Sequence, residues 1–121
     1  MKVKNTDMEK ELITIGFDNK ELELDLKTVL RLVKYLEVFK KEFKWGRNQT
    51  TLTLVGDNAT LDFHILYDNE SMKAKEVNVL CQEKFRDDIE LIESSPYKEF
   101  LEDLDSLKKE LEVYVPDLSK L

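Results

Sequence analysis

Histidine and cysteine, the side chains best suited to acid–base and nucleophilic chemistry near neutral pH, each occur once in this chain: His64 and Cys81. His64 lies in Leu61-Asp62-Phe63-His64-Ile65-Leu66-Tyr67, where apolar and polar side chains alternate as on a half-buried strand. Asp62 is two residues earlier, hence on the same polar face. A carboxylate there would favour the imidazolium and make a weak acid–base pair. A surface histidine set opposite a Thr or Asn is the plainer expectation. Cys81 alternates with Val77 and Val79, which places it with the apolar set as a small buried hydrophobe. A Cys–His dyad needs both groups on one sheet face, and the alternation divides them. Metal chemistry has no His/Cys cluster to build on. Asp57-Asn58 and Asp68-Asn69-Glu70 do not follow the spacing of a calcium loop. Gly16, Gly46 and Gly56 each stand alone, so no glycine-rich phosphate loop is present. The residues therefore point away from an enzyme, with no cofactor and no metal expected.

Charge is the stronger signal. The chain carries a formal −7, and its last 39 residues hold twelve acids against six bases, a net of −6. Residues 83–93 place Phe85, Ile89 and Ile92 at helical spacing, with Glu83, Asp87 and Glu90 opposite. Ser95-Pro96 then reads as a cap and a first helical residue. The helix that follows carries Tyr97, Phe100, Leu104, Leu107, Leu111 and Tyr114, spaced 3, 4, 3, 4, 3, and Pro116 would stop it. Glu99, Glu102, Asp103 and Glu110 gather opposite that stripe. Like-charge neighbours such as Glu99 and Asp103 destabilise a helix by about 0.2–0.5 kcal/mol each, so an acidic face of this kind invites a functional explanation. Glu83, Asp87, Glu90, Glu99, Glu102, Asp103 and Glu110 are the expected partner-binding set.

These segments require a scaffold. Ile13, Ile15 and Phe17, then Leu22, Leu24 and Leu26, alternate with polar residues around Asp18-Asn19, which reads as a hairpin. Val29, Val33, Leu36, Phe39 and Phe43 switch to helical spacing, with Asp25 as cap and Gly46 as terminator. Leu52 and Leu54, then Leu61 to Tyr67, then Val77 to Cys81 return to strand spacing as a meander. The expected fold is α+β in the order ββαβββαα, an antiparallel sheet of about five strands with helices on one face. Residues 1–10 read as a frayed start, 83–115 as the acidic helical region, and 1–121 as a single domain. At this length about two-thirds of the unfolded chain's surface is buried without staples.

A secondary basic patch closes the first helix: Lys40, Lys41, Lys44, Trp45 and Arg47. Cations there complement the helix dipole, and Trp45 would close the core edge. Acidity, with a sequence pI near 4.8, argues against nucleic acid as a direct ligand. A single cysteine, no leader-like apolar run and no membrane-length stretch point to the cytoplasm. Sixteen lysines against three arginines, with two alanines, suit an AT-rich coding sequence such as that of a phage or mobile element. The expected function is a small acidic binding or inhibitor protein, of phage or immunity type. Its C-terminal acidic helices would dock a basic protein surface on a nucleic-acid-binding enzyme or a toxin. The alternative is a self-associating structural module that dimerises through the Tyr97–Tyr114 heptad stripe.

Overall fold

The computed structural model describes residues 1–40 and 49–114, with side-chain surroundings for 1–34 and 51–114. Its elements run β1 (Lys2–Asp7), β2 (Leu12–Gly16), β3 (Glu21–Asp25), α1 (Leu26–Lys40), β4 (Gln49–Val55), β5 (Ala59–Tyr67), β6 (Ala74–Glu83), β7 (Glu90–Pro96) and α2 (Tyr97–Glu112). The chain is α+β, with two antiparallel sheets in place of one: β1-β2-β3 and β4-β5-β6-β7. Hence the order is βββαββββα, which corrects ββαβββαα. Gly46 and Pro116, the expected helix stops, lie outside the described residues.

Two segments account for the difference. Residues 2–7 form β1 where a frayed start was expected. β1 is an edge strand with mostly polar side chains, so it shows no apolar alternation. Backbone pairing with β2 holds it, from Lys2↔Gly16 to Asp7↔Leu12. The second segment is 83–93, expected to be helical. Here β6 ends at Glu83, the chain turns, and β7 begins at Glu90. In β7, Leu91 pairs with Leu80 and Glu93 with Val79, which leaves Ile92 as the extra residue of a bulge. The bulge turns both Ile92 and Glu93 inward, at 0% and 1% exposed. It thereby hides the period of two that would have announced a strand.

Each helix touches both sheets. α1 packs on β2, β3 and β4, α2 on β1, β6 and β7, and the helices pack on each other. The inward rows of the sheets (Ile13, Ile15, Leu22, Leu24; Leu61, Phe63, Ile65, Val77, Val79) meet Val29 and Leu32 of α1. Phe100, Leu104, Leu107 and Leu111 of α2 complete this core, so these four residues of the Tyr97–Tyr114 stripe lie inside the fold, while Tyr97 is half-buried and Tyr114 is 44% exposed. Phe63 and Phe100 meet tilted, ring centres 5.9 Å apart. Asp25 does cap α1: its carboxylate accepts the Thr28 N–H at 3.1 Å and the Thr28 hydroxyl at 2.5 Å. α2 starts one residue later than expected, with Pro96 at the cap position and no side-chain cap.

Turns of one sheet are stitched to edges of the other. The Asn19 N–H donates to the Ile92 carbonyl at 3.0 Å. The Asn58 amide donates to the Glu23 carbonyl at 3.1 Å. Arg31 donates to the Val55 carbonyl at 3.0 Å on β4. Such contacts occupy edge groups that would otherwise template another strand. Close approach at this seam also explains Gly56: a Cβ there would meet Thr28 Oγ1 at 2.7 Å and Cγ2 at 3.0 Å.

Candidate functional site

The seven carboxylates do not form one plane. Glu83 and Glu90 stand at the facing ends of β6 and β7, where both accept from Lys20 Nζ, at 3.0 and 3.2 Å. Arg86 Nη1 adds a contact to Glu83 at 3.6 Å. The hydrogen bond from Lys20 holds the Glu83 carboxyl below its ordinary value, against a smaller opposing effect of burial. The same two carboxylates raise Lys20. Asp103 and Glu110 lie two helical turns apart on the side of α2 that faces β1. Asp103 is 3.8 Å from the α-ammonium of Met1, and Glu110 accepts the Val3 N–H at 3.0 Å. Four of the seven are thus engaged within the chain. Asp87, in the β6–β7 connection, and Glu99 and Glu102, on α2, remain exposed, with no base paired to them among the described residues. In the basic patch, Lys41, Lys44, Trp45 and Arg47 lie outside the described residues, as does the Lys40 side chain.

His64 is half-buried on the outward face of the four-stranded sheet, in a row with Thr51 and Asn78. Asp62 shares that face, and its carboxylate accepts the Thr53 hydroxyl at 2.6 Å. Cys81 is on the inward face, and burial pushes its thiol up to about 11, which removes the thiolate a nucleophile requires. The two groups are therefore on opposite faces. No group of three or more His, Cys, Asp or Glu among the described residues is placed to hold a metal ion. No helix among them is long and apolar enough to cross a membrane.

Two features were not legible in the sequence. One is Glu93, 1% exposed, whose Oε1 meets the Met1 α-ammonium at 3.3 Å. Its Oε2 has no hydrogen-bond partner. Burial raises the Glu93 carboxyl above its ordinary value, the ammonium opposes this, and Asp18 and Asp103 add to the rise. The other is the β6–β7 turn. Phe85 is 96% exposed at φ +67°, a left-handed conformation that costs an ordinary residue roughly 1–2 kcal/mol. Ile89, expected on a buried helix face, is 62% exposed. A groove of about 370 Å³ beside this turn is lined by Gly56, Asp57, Thr60, Glu83 and Phe85. The one sequence signal for it is an aromatic wedged between charges in Glu83-Lys84-Phe85-Arg86-Asp87-Asp88.

No family model, curated protein or solved structure matches this chain. The functional argument therefore rests on the arrangement of its own side chains.

Proposed function

We propose that this chain is a small acidic binding protein that docks a basic surface of a macromolecular partner and inhibits it by occlusion. The observation that supports the reading is the outward pair Glu99 and Glu102 at the start of α2, exposed and with no described base against them. Three residues apart, they point the same way from a helix whose stripe is anchored in the core. Carboxylates fixed in this way meet Lys or Arg on a partner with little ordering cost. Asp87 extends the acidic contribution at the β6–β7 connection, and the chain's −7 steers encounter. Glu83, Glu90, Asp103 and Glu110 have structural duties, so the contact set contracts to Asp87, Glu99 and Glu102. A toxin or a nucleic-acid enzyme with a basic active cleft has the required chemistry.

Affinity capture from lysate at low and high salt tests this. A partner should be retained at low salt and released as salt screens the contact. The double reversal Glu99→Lys with Glu102→Lys should abolish capture while leaving the melting temperature close to wild type. No retained partner at low salt, or capture indifferent to the reversal, would remove the reading.

A further inference from the structure

We propose that the α-ammonium of Met1 is a chemical latch: it seats β1 by serving as the counter-ion of Glu93 inside the fold, and acylation of that nitrogen releases the strand. This goes beyond the docking role and does not involve Glu99 or Glu102.

The first residues of a domain fray unless something ties them down. β1 has mostly exposed or half-buried polar side chains, and its pairing with β2 is interrupted by a bulge between Val3 and Asn5. The residue that leads into it is nonetheless held twice. Met1 is 6% exposed and belongs to the core, and its ammonium lies 3.3 Å from Oε1 of Glu93, which is 1% exposed. A terminal charge that could sit in water is instead drawn inside.

Glu93 depends on this one cation. No other base among the described residues is paired with it. Lys20, which lines the same groove as Met1, is committed to Glu83 and Glu90. Asp103, 3.8 Å from the ammonium, has a side chain 48% exposed, so water can replace the contact there. Glu93 has no such recourse. Its Oε2 already lacks a hydrogen-bond partner, and without the ammonium both oxygens would be unsatisfied in the interior. An uncompensated buried charge costs far more than a paired one. The structure relieves it by letting water in, and β1 is the cover with the least apolar anchorage.

Acetylation changes that balance without altering any side chain. Acetyl transfer from a thioester forms an N–C bond, expels the thiol and a proton, and leaves the nitrogen a neutral amide. Release of β1 then bares the edge of β2, whose open N–H and C=O groups template strand addition. Exposure of that edge is thereby tied to the chemical state of the first nitrogen.

Native-state amide exchange reads the latch on the intact chain. The unmodified form is compared with one acetylated at the α-amine by co-expression with an Nα-acetyltransferase, each verified by intact mass. Acetylation should quicken exchange across β1 by at least about tenfold and leave β5 and β6 protection little changed. Glu93→Gln is the decisive background, because a neutral amide needs no counter-ion: acetylating that variant should change β1 exchange little. If acetylated wild type does not fold, folding of acetylated Glu93→Gln supports the latch, and failure of both overturns it. Equal β1 protection in acetylated and unmodified wild type, or the same loss on acetylating Glu93→Gln, would also overturn it.

Discussion

Glu93 shows how one residue's surroundings reverse an expectation about charge. It is an acid in the acidic third of the chain, yet it is turned into the core by a bulge and left with one oxygen lacking a hydrogen bond. Its folded carboxyl lies above the ordinary value near 4.5, so ionisation is disfavoured by the fold. A group raised in this way contributes stability that is present below the unfolded value and is lost as pH rises through the folded one. Met1, Asp18 and Asp103 are the charged groups that face it. Glu93→Gln keeps an acceptor for the ammonium and removes the titration. The stability of wild type minus that of the variant, from urea unfolding, should therefore fall as pH climbs above about 4.5. A difference that grows with pH would show the ammonium attraction winning over desolvation.

Among the elements, α2 has two duties on different faces. Its apolar stripe fills the core, and its Asp103–Glu110 side closes the free edge of β1. An exposed edge strand with open N–H groups is an aggregation hazard, and a carboxylate placed on it is a direct remedy. Glu110→Ala should leave the Val3 N–H without its acceptor, at a cost of roughly 0.5–1.5 kcal/mol. Amide exchange at Val3 should quicken by up to about tenfold, with β5 and β6 protection little changed. Unaltered Val3 protection would mean that the contact holds nothing in place. The same geometry explains why four of the seven expected contact acids are poor candidates for binding a partner: each already satisfies a group of its own chain.

For the molecule as a whole, stability depends on stitches between two sheets that the chain visits in succession. Lys20, in the β2–β3 turn, joins Glu83 of β6 and Glu90 of β7. Glu83 is held below its ordinary value, so its contribution is present above about 4.5 and is lost as pH falls through the folded value. Lys20→Met should lower the thermal midpoint near neutral pH, and the gap from wild type should close on acidification. A gap that stays constant to low pH would assign the loss to packing of the lysine stem instead.

The sequence by itself determined much of the frame. Period-two alternation in Ile13–Phe17, Leu22–Leu26, Leu61–Tyr67 and Val77–Cys81 marks β2, β3, β5 and β6, because those strands bury one face and bare the other. Helical spacing marks α1 and α2 for the same reason, and the placing of His64 and Cys81 on opposite faces follows from parity alone. What only tertiary structure decided lacks such a period. β1 is held by its neighbour's backbone rather than by side-chain pattern, and β7 is disguised by a bulge that shifts parity midway. Three residues spaced four and three apart mimicked a helix there, and with it a continuous acidic plane. Whether a carboxylate is open to a partner depends on which distant donor reaches it, as Lys20 and the Val3 N–H do. Such partners are dozens of residues away in the chain, beyond what local spacing encodes.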